Sequence, residues 1–170
     1  MSSQFTYSIA RELLYGSING KKFVIAAYSG GGRGSTNPKV RENSFNSYFA
    51  SKPTISHAHG KRGGAVPPGN WTIMPPQNHV HHLGYYVSKL VPDEATEKRY
   101  PQRRYKFPEG FYIHGPGIQG SDGCLIIERI HRLPLLRAIG EAGGASLTVL
   151  WDGEYMEQRL ENSSRTSSTA

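Results

Sequence analysis

The sequence predicts a mainly β protein, a small barrel or sandwich with one short helix and long loops. Three observations carry that prediction. Apolar residues fall in short runs closed by turn residues, 20 glycines and 11 prolines punctuate 170 residues, and stretches with a helical apolar period are scarce. At 36% apolar and 11% aromatic residues, the chain can enclose one sizeable core but not two.

The elements follow in order. Phe5 to Ile9 and Leu13 to Ile18 are apolar runs short enough to pair through a tight turn. Asn19-Gly20 then supplies two residues that accept positive φ, so Lys22 to Tyr28 returns as the next strand of a hairpin. Trp71 to Met74, Tyr85 to Val91, Phe111 to His114, Cys124 to Glu128 and Ser146 to Trp151 complete the strands, each rich in aromatic or β-branched residues. The helix is placed at Leu133 to Ala142, where Leu133, Leu136, Arg137 and Ile139 to Gly140 fit one face. Pro134 suits its first turn and Gly143-Gly144 stops it. Gly30 to Gly64 and Pro92 to Pro108 are long and polar, and are expected to form loops that wall a substrate groove. Residues 1–152 thus form one domain, and residues 153–170 a C-terminal extension whose Ser/Thr-rich end has too little apolar surface to order itself.

Twenty Lys and Arg against 13 Asp and Glu leave a net charge of +7, which attracts anionic polymers. Lys98-Arg99 to Lys106, interleaved with Tyr100 and Tyr105, has the pattern of a nucleic-acid binder. No nucleic-acid fold signature accompanies it, and a solvated basic face is the simpler account. No nucleic-acid partner is expected. A single cysteine excludes an intramolecular disulfide, so stability must come from packing. No apolar run approaches the ~18 residues of a membrane helix, and no basic and apolar leader opens the chain.

That one cysteine is the most informative residue. Phe111-Tyr112-Ile113-His114-Gly115-Pro116-Gly117-Ile118-Gln119-Gly120-Ser121-Asp122-Gly123-Cys124 places a histidine ten positions before a thiol. A thiol attacks well only as thiolate, and a nearby imidazole takes its proton and stabilises the ion. The glycines between them predict a loop that folds back, which brings the end of one strand beside Cys124. Gly123 leaves room for a substrate carbonyl over the Gly123 and Cys124 amides, an oxyanion site. The competing account is a buried, inert cysteine before Leu125, Ile126 and Ile127, and an ordinary strand-end histidine. A core cysteine does not need Ser-Asp-Gly before it, which favours the catalytic account.

These residues resemble the catalytic signature of L,D-transpeptidases, the YkuD-like cysteine enzymes of bacterial cell-wall metabolism, where a His-Gly pair precedes a Ser/Thr-X-Gly-Cys segment. Ile113-His114-Gly115 before Ser121-Asp122-Gly123-Cys124, with its short gap, is most similar to the divergent branch of type VI secretion effectors with L,D-transpeptidase and L,D-carboxypeptidase activity. Gly63-Gly64-Ala65-Val66-Pro67-Pro68-Gly69-Asn70-Trp71-Thr72-Ile73 resembles the segment that crosses the barrel of these domains, and Leu13 through Gly30 their first hairpin. The resemblance covers roughly residues 5 to 152, and two places depart from the commoner pattern. Asp122 stands where a second histidine is usual, and Ile126 where an arginine is implied to bind a substrate carboxylate. Arg129, Arg132, Arg103, Arg104 and Lys106 are the alternatives for that role.

The resemblance implies that Cys124 is the nucleophile, His114 the base and Gly123 an oxyanion donor, with Ser121 assisting the loop or substrate. Asp122, Gly115, His57, His59 and Arg129 are candidates for substrate contact. It implies peptidoglycan stem peptides as substrate, no cofactor, and a protein made in the cytoplasm, secreted, and active in the periplasm of a target bacterium. A cognate immunity protein would be a further partner. A different chemistry remains open: His57 and His59 alternate, as do His79 and His81 with His82 adjacent, and alternate strand residues share a face where zinc can bind. Neither cluster carries the neighbouring glutamate a metallohydrolase uses to activate water.

Overall fold

A computed structural model describes residues 3–30, 65–99, 110–116 and 123–150. Nine strands appear among them: β1 (Ser3–Ser8), β2 (Leu13–Ile18), β3 (Lys21–Ala26), β4 (Gly69–Ile73), β5 (Gln77–Val80), β6 (Gly84–Pro92), β7 (Phe111–His114), β8 (Leu125–Ile126) and β9 (Ala145–Leu150). They belong to one sheet in the order β3-β2-β1-β9-β4-β6-β7-β8, with β5 paired to β6 beside this path. Tyr28, just past β3, bridges to Ile126 in β8, and their N–H groups bond each other's carbonyls at 3.1 and 2.8 Å. The two ends of the sheet thereby meet, and the sheet curls around the core. Most joints are antiparallel, but β1 lies parallel to β9 and β7 parallel to β8.

Strand alternation explains which side chains the curl encloses. Phe5 and Tyr7 of β1, Leu14 and Ile18 of β2, Trp71 and Ile73 of β4, and Leu147 and Val149 of β9 enter the core, while Gln4, Thr6, Tyr15, Asn70 and Thr148 stand between them on the outer face. The Trp71 ring meets Phe111 edge-on at 5.1 Å, and its indole N–H donates to the Pro67 carbonyl at 3.0 Å. A tryptophan is thus enclosed with its polar atom satisfied. The β2–β3 turn is the one expected: Asn19 and Gly20 have φ of 49° and 86°, the pair of positive values a two-residue hairpin requires.

Two helices are described where one was expected. α1 (Glu94–Arg99) lies in the stretch read as loop, and its start is fixed by Asp93, whose carboxylate accepts the Thr96 N–H at 2.8 Å. Hydrogen bonding from the Thr96 side chain, and then from its N–H, holds the Asp93 carboxyl below the usual range. Acidic Glu94 and Glu97 in the first turn and Lys98 and Arg99 in the last suit the helix dipole. Buried Thr96 ties the helix to β4, its hydroxyl accepting the Asn70 N–H at 3.0 Å. The signal was present in Asp93-Glu94-Ala95-Thr96; without an apolar stripe it did not register as a helix.

The second helix, α2 (Arg129–Glu141), begins four residues before the expected Leu133, because the Glu128 carbonyl already accepts the N–H groups of His131 and Arg132. Pro134 therefore falls inside the helix rather than in its first turn. The buried face is Arg132, Leu135, Leu136 and Ile139, while Arg137 is exposed and Leu133 half-buried. Leu135, Leu136 and Ile139 are fully enclosed, each worth about 1.5–3 kcal/mol relative to exposure. Two strand expectations also change. β8 keeps only Leu125 and Ile126 of Cys124 to Glu128, and β5 forms from polar residues that gave no apolar alternation. The expected C-terminal extension and most of the two long loops lie outside the described residues.

Candidate active site

The parallel β7–β8 joint places His114 and Cys124 on one face. Ile113 pairs with Leu125 and His114 with Ile126. Ile113 and Leu125 are 0% exposed and both point into the core. By alternation Tyr112 and His114, together with Cys124 and Ile126, occupy the opposite face. The Tyr112 N–H donates to Cys124 Sγ at 3.3 Å, so the sulfur occupies an acceptor position at the end of the ladder. Such a contact orients the thiol and strengthens when the sulfur is ionised. Cys124 is half-buried.

His114 is held by its own corner. Its Nδ1 lies 2.8 Å from the Gly115 carbonyl oxygen. A carbonyl only accepts, so Nδ1 carries the hydrogen and Nε2 is left with the lone pair a base needs. Burial pushes the His114 pKa below the ordinary histidine value; the Gly115 carbonyl opposes that shift and the Arg132 guanidinium adds to it. The resting imidazole is therefore neutral near neutral pH, the form that accepts a proton.

The nucleophile's peptide is fastened from a distance. The buried Ser29 hydroxyl donates to the Gly123 carbonyl at 3.1 Å and accepts the Val66 N–H at 2.9 Å. Because the Gly123–Cys124 peptide is trans, a carbonyl turned toward Ser29 turns the Cys124 N–H the other way. Gly123 has φ of 126°, outside the range of ordinary L residues, so glycine is required there by the backbone itself. Ser29 was missed from sequence, where it stood only as the end of the first hairpin. Its partner is 94 positions away, and no local pattern announces the contact.

Other expectations divide. Gly115 is at the site through its carbonyl. Arg129 is exposed at the start of α2, its guanidinium 5.5 Å from the centre of the Tyr85 ring. Arg132 does not present a free fork to a substrate carboxylate: it is 6% exposed, and its N–H groups donate to the carbonyls of Ile127 at 2.7 Å, Tyr86 at 3.2 Å and Tyr85 at 3.4 Å. Ser121, Asp122, His57, His59, Arg103, Arg104 and Lys106 lie outside the described residues. The zinc alternative gains no support. His79 sits on β5 and His81 and His82 in the turn after it, and no three potential ligands gather among the described residues. An open depression of about 490 Å³ lies over β2, β1, β9 and β4, lined by Thr6, Tyr15, Asn70 and Thr148 among others; it includes neither Cys124 nor His114.

No protein-family model matches the sequence, and no curated protein matches it. Solved structures do. The chain is similar to L,D-transpeptidase 1 of Mycobacterium tuberculosis, at 15% identity and TM-score 0.47, over 87% of this chain and 61% of that one. It is similar to an L,D-transpeptidase of Xylanimonas cellulosilytica, at 15% identity and TM-score 0.48, over 88% and 60%. An L,D-transpeptidase of Stackebrandtia nassauensis gives 12% identity and TM-score 0.48, over 88% and 56%. The chain thus spans about three fifths of the length of these proteins.

Proposed function

We propose that this protein is a cysteine acyltransferase of the L,D-transpeptidase type, acting on the tetrapeptide stem of peptidoglycan. The observation that carries the reading is the His114–Cys124 face, with Nδ1 held by the Gly115 carbonyl and Tyr112 N–H on the sulfur. In this mechanism His114 Nε2 takes the thiol proton and the Cys124 thiolate attacks the carbonyl of the third stem residue, a diaminopimelate. The Gly123 and Cys124 amides hold the oxyanion, each such donor being worth about 3 kcal/mol. Collapse breaks the C–N bond; the departing D-alanine amine takes the proton from the His114 imidazolium. The thioester then passes to water, to a D-amino acid or to an amine of another stem, so that carboxypeptidase, exchange and crosslinking are three fates of one intermediate. No step calls for a cofactor.

The short His-to-Cys gap supports the finer reading, an antibacterial effector that is secreted, trims stems in the periplasm of a target cell and meets a cognate immunity protein at home. Residues 1–152 are the proposed catalytic domain and 153–170 its extension. Ser121, Asp122, His57, His59 and Arg129 remain proposed contacts.

Incubation with purified tetrapeptide muropeptides tests the activity. Wild-type protein is expected to release D-alanine and Cys124→Ala to release none, a loss on the order of 10⁴-fold or more. Unchanged muropeptides with active thiol, or turnover by Cys124→Ala, would overturn it. Activity that a chelator removes and Cys124→Ala retains would point to a metal instead.

A further inference from the structure

Arg132 is the one charged side chain buried among the described residues. No carboxylate among the described residues forms an ion pair with it, and Glu128 acts on it only through space. A guanidinium removed from water costs several kcal/mol unless its N–H groups are satisfied, and this one is satisfied by main chain. Its three carbonyl partners come from two separate segments, Tyr85 and Tyr86 on β6 and Ile127 just after β8, while the arginine belongs to α2.

The same group lies against Gly115. A Cβ built at that position would stand 2.6 Å from an Arg132 terminal nitrogen and 3.1 Å from its Cζ. The Gly115 carbonyl orients His114 Nδ1, and Ile127, which takes the shortest Arg132 bond, gives its own N–H to the His114 carbonyl at 3.0 Å. One rigid fork therefore braces both neighbours of the histidine: the peptide after it and the strand beside it. A lysine has a single ammonium and cannot serve three carbonyls in one plane.

We infer that Arg132 is the positioning residue of the site, acting through Gly115 and Ile127 to hold His114 in the tautomer whose Nε2 accepts the thiol proton. The inference rests on the reading of Cys124 and His114 as nucleophile and base, and extends it to a residue that touches no reacting atom. The fixed positive charge has a second effect, because it disfavours a second cation on the imidazole in the same direction as burial. Among the described residues, the other charged or titratable groups around this corner are Cys124 and Tyr112 on the site face, Tyr85, Tyr86 and Lys89 on β6, and Glu128 and Arg129 at the head of α2.

The test uses full-length protein and no peptidoglycan, so it stands apart from the choice of substrate. Nitrogen NMR of the His114 ring reads tautomer and titration midpoint; alkylation of Cys124 by iodoacetamide across pH reads thiolate. Wild type is expected to show Nδ1–H with a midpoint below that of an ordinary histidine. Arg132→Gln is expected to mix the tautomers, raise the midpoint and slow alkylation at pH 7 roughly tenfold, the scale of one misplaced hydrogen bond. Arg132→Lys should keep the midpoint nearer wild type but not the tautomer. Gly115→Ala, which leaves the arginine and crowds it, should reproduce the tautomer change. A folded Arg132→Gln with wild-type tautomer, midpoint and alkylation profile would overturn the inference. Should Arg132→Gln not fold, a wild-type tautomer in both Arg132→Lys and Gly115→Ala would do so equally.

Discussion

Two histidine-bearing corners of this molecule differ in everything but residue type. At the end of β7, His114 is half-buried, its Nδ1 is on the Gly115 carbonyl, and its strand is locked by the fully buried Ile113–Leu125 pair. At the end of β5, His79, His81 and His82 are all exposed, and the His81 and His82 rings lie 3.7 Å apart in a turn where His82 takes φ of 70°. The first corner fixes one nitrogen as donor and leaves the other its lone pair. The second leaves its imidazoles in water with nothing among the described residues to assemble them as ligands. The chemistry of a histidine here depends on burial and one directed hydrogen bond, and those come from the strand it ends.

Replacing the half-buried imidazole should break the comparison most sharply. His114→Gln is expected to lower acyl transfer by roughly 10²–10⁴-fold, the usual worth of a general base. It should also flatten the acid limb of stability. Because the folded-state pKa of His114 is lowered, folding favours the neutral ring, so its contribution is fully present above the ordinary histidine value and is lost as pH falls through that value toward the folded one. Thermal melts of both proteins across that pH range check the sign: the wild type should lose stability faster on acidification.

Leu125→Ala asks whether the corner is held by packing. Leu125 is 0% exposed beside Cys124, and truncation should cost about 2–5 kcal/mol in denaturant unfolding. Ser29→Ala asks whether the distant tether matters. It removes the hydroxyl that joins Gly123 to Val66, with an expected loss of about 1–3 kcal/mol and slower thiol alkylation. A Ser29→Ala protein with full thiol reactivity would show that the Gly123 peptide holds its orientation unaided. The smallest effect should come from the other corner. Alanine at His79, His81 and His82 together is expected to change stability by about 0.5 kcal/mol or less per site and leave alkylation within twofold. A larger change in alkylation would mean that the two corners communicate.

Much of the fold was legible because it is local. The Leu13–Ile18 and Phe111–His114 strands and the Asn19-Gly20 turn follow from alternation and turn chemistry. The short helix α1 was hidden by the lack of an apolar face, and β5 by the lack of apolar alternation. The pairing of β1 with β9 joins residues at opposite ends of the described chain, which no window of sequence displays.

By itself, then, the chain determined its strand periodicity, its tight turn and the two side chains proposed for acyl transfer, since each depends on neighbours a few positions apart. Only the closed sheet decided that Ser29 would fasten Gly123, that Arg132 would turn inward to carbonyls instead of outward to a substrate, and that Gly115 would have to be small. Those roles belong to buried polar groups, whose partners are set by which strands lie side by side and not by sequence spacing.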